Sequence, residues 1–163
     1  MSERVFIALG SNVGDKGGNL DKALYLLSGS GRAKTVKASP RYLTRPWGGP
    51  EQEDYLNMAL EIRTRLNPVW LLGLLKDIEK EMGREDAPPD HPRVIDLDIV
   101  FYGGLVADLE GVTLPHPRAH ERLFVMAPVN DIAPDFVHPV SGEKVSSIFE
   151  RLEKEYDGTV RKT

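Results

Sequence analysis

Apolar residues recur along the chain with two different periods, and the order of those periods predicts the fold. Continuous apolar runs or alternation of apolar and polar residues indicate a strand, whereas apolar residues three and four positions apart indicate a helix. The predicted elements are strand 5–9, helix 19–27, strand 36–43, strand 55–63, helix 68–82 and strand 95–102. This is the order of a βαββαβ plait, an α+β fold in which helices back a mainly antiparallel sheet.

Glycine and proline mark the ends of several elements. Asn67 and Pro68 suit the start of a helix, and Gly83 suits the position just after its last turn. Residues 84–92 contain three prolines and predict a surface loop. The remaining predicted elements are a tight hairpin at Gly103-Gly104 leading into 105–107, a short helix at 121–127 and a closing helix at 146–156.

Length and composition are those of one globular domain, which we expect to span residues 1–163. The chain is 40% hydrophobic and 28% charged and has no cysteine, which excludes disulfides and thiol nucleophiles. Its formal charge of −4 argues against a general nucleic-acid surface. Because no apolar run approaches the ~20 residues of a membrane span and no signal peptide is evident, we expect a cytoplasmic protein without nucleic-acid or membrane partners.

Two aspartates on alternate positions of the predicted strand 95–102 are the clearest indication of chemistry. Side chains of a strand alternate between its faces, so Asp96 and Asp98 share one face with Cα atoms roughly 6.5 Å apart. Carboxylates at this spacing repel one another unless water surrounds them or a hard cation such as Mg²⁺ lies between them. The residues alone are compatible with both a solvated edge strand and a magnesium site.

Cationic and imidazole side chains flank this pair in the sequence. Arg84 and Arg93 precede it, and His116 and Arg122 follow it. Singly, each is compatible with an ordinary surface position. Together with the aspartates they form the set of groups that phosphate transfer uses, because metal ions and arginines stabilise charge on phosphate oxygens.

Two further loops offer contacts for the rest of a ligand. Trp47, Tyr55 and Asn57 provide aromatic faces and an amide that suit a flat heterocycle, although a tryptophan covering the edge of a core has the same signature. The segment Gly10-Ser11-Asn12 matches no phosphate-loop motif. A tight connection between strand and helix, where glycine lets the backbone pass close to another group, explains it more simply.

Two other kinds of site are disfavoured. His116 and His120 have the spacing of a helical zinc site, but Pro117 lies between them and no third ligand is evident. A serine hydrolase is disfavoured because no serine lies in a nucleophile elbow.

Five segments together resemble the 6-hydroxymethyl-7,8-dihydropterin pyrophosphokinase family, whose members transfer pyrophosphate from ATP to a pterin alcohol. The resemblance covers nearly the whole chain. Its most specific segment is Pro92-Arg93-Val94-Ile95-Asp96-Leu97-Asp98-Ile99. The other four are Ala8-Leu9-Gly10-Ser11-Asn12, Asp54-Tyr55-Leu56-Asn57, Gly83-Arg84 and Leu114-Pro115-His116-Pro117-Arg118.

The resemblance implies a ferredoxin-like, three-layer αβα fold, two Mg²⁺ ions, and ATP and the pterin alcohol as small-molecule substrates that bind in that order. It implies that Asp96 and Asp98 ligate the metal ions and that Arg84 and Arg93 grip the phosphates, and these four are the candidate catalytic residues. The further ATP contacts it implies are Glu79, Ile99, Thr113, His116 and Arg122. The pterin contacts it implies are Thr44, Trp47, Tyr55, Asn57, Asp96 and Phe124. Nothing in the sequence points to an obligate protein partner.

The chain departs from the family pattern in two loops. Residues 85–91 are acidic and proline-rich where many relatives carry basic residues and a tryptophan, so we expect a stiffer loop that repels phosphate. Arg45 and Trp47 stand where relatives often have a proline and a smaller apolar residue. Two alternatives therefore stay open, a non-catalytic nucleotide- or pterin-binding module of the same fold and a palm-like nucleotidyltransferase.

Overall fold

One antiparallel sheet lies at the centre of the computed structural model, which describes residues 3–45, 51–84, 88 and 91–163. The strands are β1 (Glu3–Ser11), β2 (Ala33–Ala38), β3 (Tyr42–Thr44), β4 (Tyr55–Thr64), β5 (Asp96–Tyr102), β6 (Ala107–Leu109), β7 (Val112–Leu114) and β8 (Val160–Lys162). The main sheet has the order β5-β1-β4-β3-β8, and β2 also pairs with β4. The strands β6 and β7 form a separate hairpin.

Helices cover both faces of this sheet. They are α1 (Lys16–Gly29), α2 (Pro68–Glu81), α3 (Leu123–Ile132) and α4 (Val145–Glu155), with a 3₁₀ helix at Ala119–Glu121 before α3. Among the described residues, no helix combines the length and the apolar character needed to cross a bilayer.

The alternation of side chains along β1 divides the core into two layers. Val5 and Ile7 pack with residues of α1 and α2 on one face, whereas Phe6 packs with residues of α3 and α4 on the other. All three side chains are fully buried, and each contributes roughly 1.5–3 kcal/mol relative to an exposed position. The predicted three-layer αβα plait is therefore confirmed.

The ends of α2 follow the predicted chemistry. The Asn67 side chain accepts a hydrogen bond from the Trp70 N–H at 3.0 Å, and Pro68 occupies the first turn. Gly83 has φ +85°, a left-handed conformation that favours glycine after a helix. The chain therefore turns sharply at Gly83 and places Arg84 beside the sheet.

Three details differ from the predicted elements. The extended segment 36–43 is two strands, because Pro40 has no N–H to continue the ladder of β2. The predicted hairpin at Gly103-Gly104 is wrong, since the chain turns there but β6 pairs with β7 and not with β5. The predicted helix at 121–127 is α3, which runs further, to Ile132.

Candidate active site

The candidate site lies on the face of the sheet that packs against α3 and α4. Gly10 of β1 is opposite Asn57 on one neighbouring strand and Asp96 on the other, and Ala8 is opposite Asp98. Side chains at paired positions share a face, so the amide and both carboxylates project to the same side.

A cavity of about 830 Å³ opens over this part of the sheet. The predicted site residues that line it are Thr44, Tyr55, Asn57, Arg84, Arg93, Asp96, Asp98, His116, Arg122 and Phe124. The structure thus brings together residues from β3, β4, β5, the loops on either side of β5 and the first turn of α3.

Four predicted site residues are placed elsewhere or are not described. Ile99 is 4% exposed, with its side chain in the core beneath α1 and α2. Thr113 lies on the outer hairpin, where its hydroxyl donates to Asp108 at 3.0 Å. Glu79 is buried next to the cavity but does not line it. Trp47 and most of the loop 85–91 lie outside the described residues.

The two aspartates carry more negative charge than their surroundings neutralise. Partial burial and repulsion from Asp96 and Glu79 raise the pKa of Asp98 to about 7, and the guanidinium groups of Arg122 and Arg84 oppose this only in part. A carboxyl that resists ionisation beside a second carboxylate suits a hard divalent cation with oxygen ligands. The donor set therefore fits Mg²⁺, although in the described part of the chain no third acidic or imidazole side chain joins the pair as a metal cluster.

Arg84 is fixed between two carboxylates. Its Nη1 donates to Asp96 Oδ1 at 3.1 Å and also to Glu79 Oε2. Glu79 is 3% exposed, and its Oε2 accepts the N–H of Leu97 at 2.8 Å. One buried carboxylate therefore holds both the arginine and the backbone between the two aspartates.

The amide of Asn57 is oriented by a hydroxyl and a glycine. Its Nδ2 donates to Thr44 Oγ1 at 2.9 Å in a buried position. A Cβ at Gly10 would lie 2.7 Å from Asn57 Oδ1 and 3.4 Å from the Tyr55 ring. Glycine at this position therefore leaves the space in which the amide sits, as the simpler explanation of the Gly10-Ser11-Asn12 segment predicts.

His116 is a neutral hydrogen-bond donor at neutral pH. Burial, followed by the positive charge of Arg122, lowers its pKa to about 4. Its Nδ1 accepts the N–H of Arg118 at 3.1 Å, so the proton of the neutral ring is on Nε2. His116 therefore presents an N–H to the cavity without adding charge.

One wall of the cavity was not predicted from the sequence. It comes from the C-terminal segment, where β8 pairs with β3 and Val160 is opposite Thr44. The C-terminal residues that line the cavity are Arg151, Leu152, Glu155, Tyr156, Thr159 and Val160. The three-residue strand β8 has no periodicity to detect, and although the sequence predicts the helix at 146–156, nothing in it indicates that this helix lines the cavity.

Comparison with known proteins gives one consistent family. The sequence model described as 7,8-dihydro-6-hydroxymethylpterin-pyrophosphokinase (HPPK) matches residues 6–134. The 2-amino-4-hydroxy-6-hydroxymethyldihydropteridine pyrophosphokinase of Bacillus subtilis is 43% identical over 132 residues, which are 81% of this chain and 79% of that protein. The protein of the same name from Methylorubrum extorquens is 39% identical over 150 residues, 92% of this chain and 94% of that protein.

Longer proteins contain a similar segment. The folic acid synthesis protein fol1 of Pneumocystis carinii is 41% identical over 93% of this chain, which spans only 20% of that protein. Plasmodium falciparum HPPK-DHPS, solved with pterin and p-hydroxybenzoate, is 14% identical and superposes with a TM-score of 0.77 over 99% of this chain and 46% of that one. The structural match supports the fold, and the sequence matches show that the chain belongs to the 7,8-dihydro-6-hydroxymethylpterin-pyrophosphokinase family.

Proposed function

We propose that this protein transfers the pyrophosphoryl group of ATP to the hydroxymethyl oxygen of 6-hydroxymethyl-7,8-dihydropterin, a step of folate biosynthesis, and releases AMP. The observation that carries the proposal is a single cavity with two chemically different ends. The phosphate end is our name for the Asp96 and Asp98 pair with the arginines, and the pterin end is our name for the Asn57 amide with the Tyr55 and Phe124 rings; the two meet at Gly10, which lies between Asn57 and Asp96. These ends suit a metal-bound triphosphate and a flat, hydrogen-bonding pterin.

The pterin end recognises a heterocycle by shape and by hydrogen bonds. Tyr55 and Phe124 provide the aromatic faces between which the pterin would stack. Asn57 and Thr44, already bonded to each other, present a fixed amide to the edge of the ring. A preorganised amide loses little freedom on binding, so it favours the correct ring over one without matching groups.

The phosphate end would hold two Mg²⁺ ions through Asp96 and Asp98. When bound, these ions would neutralise charge on the triphosphate and orient it for in-line displacement. The chain's own cations complete the site, since Arg84, Arg93 and Arg122 face the cavity and His116 adds a neutral donor. Their part is to bind and orient the triphosphate and to stabilise charge on the oxygens of the transferred group.

We also propose that residues 1–163 act as one domain. The segment beyond the family match contributes Val145, Ile148 and Leu152 to the same buried cluster as Phe6 and Phe101. The segment after residue 134 would therefore unfold together with the sheet and not as a separate domain. A cytoplasmic location and the lack of an obligate protein partner stay predictions.

The decisive test is product identity. Purified protein incubated with MgATP and 6-hydroxymethyl-7,8-dihydropterin should give equimolar AMP and pterin diphosphate, measured by ion-exchange chromatography and ³¹P NMR. Formation of ADP would indicate ordinary phosphoryl transfer, and release of pyrophosphate would indicate a nucleotidyltransferase. Binding of both ligands without product would indicate a module that has lost catalysis.

Replacing Gly10 by alanine should weaken the pterin end selectively. The added methyl group meets Asn57 Oδ1, so the amide must leave its position, and the loss of about one good hydrogen bond corresponds to a roughly tenfold rise in the pterin KM. The KM for ATP should change by less than about twofold. Steady-state kinetics with each substrate varied in turn measure both values.

Gly73→Ala is the matched control, because a Cβ at Gly73 meets nothing within 4 Å. It should leave both KM values as they are. An unchanged pterin KM in Gly10→Ala would show that the position of Asn57 does not depend on this glycine.

A further inference from the structure

Asn12, at the end of β1, contacts both segments that lead to the substrate residues. Its side chain is buried, with only 2% of the residue exposed. We propose that Asn12 is a positioning residue that couples nucleotide binding to pterin binding, by holding Arg93 and the segment before Tyr55 in one hydrogen-bonded unit. This inference rests on the proposed function, and it assigns a role that the two aspartates and the arginines do not have.

On the phosphate side, Asn12 fixes the backbone of Arg93 at two points. The N–H of Arg93 donates to Asn12 Oδ1 at 2.8 Å, and the N–H of Asn12 donates to the carbonyl oxygen of Arg93 at 3.1 Å. These bonds determine where the Arg93 side chain begins. They lie three residues before Asp96, so they also fix the approach to the carboxylate pair.

On the pterin side, the same side chain holds the residues that enter β4. Asn12 Nδ2 donates to Gln52 Oε1 at 2.6 Å and to the carbonyl oxygen of Glu53 at 3.2 Å. The Nζ of Lys16, a few residues further along, donates to the carbonyl oxygen of Asp54 at 3.0 Å. The next residue is Tyr55, which lines the cavity.

A single amide therefore serves the two sides with different atoms, the oxygen toward Arg93 and the nitrogen toward Gln52 and Glu53. When a triphosphate restrains Arg93, it also restrains the amide, whose nitrogen then holds the pterin side in place. The second ligand meets a segment that is already ordered and binds at a lower entropic cost. Linkage makes the effect reciprocal, so pterin raises nucleotide affinity by the same factor.

Replacing Asn12 by aspartate removes its contacts on the pterin side and keeps its contact with the Arg93 N–H. Asn12→Asp keeps an oxygen that accepts the Arg93 N–H, but it has no N–H for Gln52 Oε1 and sets a carboxylate against the Glu53 carbonyl oxygen. Asn19→Ala is the matched control. Asn19 Nδ2 donates to Ser11 Oγ at 3.1 Å and to the Val13 carbonyl oxygen at 2.8 Å, so it supports the same connection without contacting either substrate segment.

Isothermal titration calorimetry measures the coupling directly. Pterin alcohol is titrated into protein with and without Mg²⁺ and a non-hydrolysable ATP analogue, and the ratio of the two affinities is the coupling factor. We expect the analogue to raise pterin affinity in the unaltered protein and in Asn19→Ala. In Asn12→Asp the coupling factor should fall about five- to tenfold, with analogue affinity in the absence of pterin within about twofold.

Gln52→Ala removes one of the two acceptors of Asn12 Nδ2 and leaves Asn12 in place, so it should lower the coupling factor in the same direction even if Asn12→Asp does not fold. Adding Asn12→Asp to Gln52→Ala should then lower the factor further only by the loss of the contact with the Glu53 carbonyl oxygen, which is less than the effect of Asn12→Asp alone. A coupling factor near one in the unaltered protein, or an unaltered factor in Gln52→Ala, would overturn the inference. If Asn12→Asp lowered the affinity for both ligands equally and left the coupling factor unchanged, Asn12 would have a merely structural role. Failure to bind the pterin at all would instead count against the proposed function.

Discussion

Replacing Asp98 by asparagine should abolish pyrophosphoryl transfer and at the same time stabilise the metal-free protein above pH 7. Under the proposed function Asp98 holds the metal ions, so its replacement removes charge stabilisation from the transferred group, and we expect kcat to fall at least about a thousandfold. The gain in stability has a separate origin. The partly buried carboxyl resists ionisation, and asparagine fills nearly the same space without a charge.

The pH dependence follows from the pKa of Asp98, which is raised to about 7 in the folded protein against an ordinary value of roughly 3.9 in an unfolded chain. Between these values the folded protein binds more protons than the unfolded chain, so the free energy of unfolding falls as the pH rises and the loss is complete above pH 7. Because Asp98 keeps contact with water, we expect Asp98→Asn to raise the free energy of unfolding above pH 7 by about 2 kcal/mol. This is less than the full shift of the Asp98 pKa implies. This corresponds to roughly 4–8 °C in melting temperature.

Thermal melts in EDTA at pH 5 and pH 8 measure this difference, and the two proteins should differ less at pH 5. Asp77→Asn, on the exposed side of α2, removes the same charge and is the control. Near-normal turnover in Asp98→Asn would contradict the metal assignment. If Asp98→Asn and the unaltered protein had the same melting temperature as each other at pH 5 and also at pH 8, the raised pKa of Asp98 would be contradicted.

The second large effect is expected for Arg84. Arg84→Ala should lower kcat about a hundredfold to a thousandfold, because the guanidinium that faces the phosphate end is lost. It should also cost about 3 kcal/mol of stability, since the buried Glu79 then keeps only the exposed Lys76 ammonium, 3.8 Å away, as a cationic partner. Turnover assays and denaturant melts measure the two effects.

The double variant Arg84→Ala with Glu79→Gln separates these effects. A neutral amide at position 79 still accepts the N–H of Leu97 and no longer needs a cation, so stability should return while turnover stays low. Arg161→Ala, on an exposed position of β8, is the control for loss of a surface arginine. Recovery of turnover in the double variant would show that Arg84 acts only by neutralising Glu79.

The parts of the fold that depend on local sequence were predictable. Alternation placed Asp96 and Asp98 on one face, and the Asn67, Pro68 and Gly83 signals marked the ends of α2. Each of these features is set by residues within a few positions of one another, so the chain carries the information locally. The two-layered core follows from the same alternation along β1.

The features that were missed depend on contacts between distant residues. Asn12 contacts Gln52 and Arg93, which are 40 and 81 residues away. Nothing near Asn12 in the sequence identifies these partners. The prediction of a hairpin at Gly103-Gly104 was wrong for a related reason. The position next to β5 is taken by His116, whose backbone N–H donates to the carbonyl oxygen of Val100.

Glu79 is a partial exception, because a signal was present. It lies four residues after Leu75 and next to Ile78, on the apolar stripe of α2, where a carboxylate is expected only if it has buried partners. Those partners are the Leu97 N–H and Arg84. An acid on an apolar helix face was therefore enough to predict a buried structural role.

The outer edge of β5 has a consequence for the behaviour of the protein in concentrated solution. An edge strand normally offers free backbone groups that can template pairing with a second molecule and start aggregation. Two backbone groups of β5 are already bonded: the Leu97 N–H donates to the Glu79 carboxylate, and the Val100 carbonyl oxygen accepts the backbone N–H of His116. A foreign strand would have to displace both before it could add to this side. Glu79 and His116, beside the candidate active site, thus also cover part of the edge at which a second molecule would pair with β5.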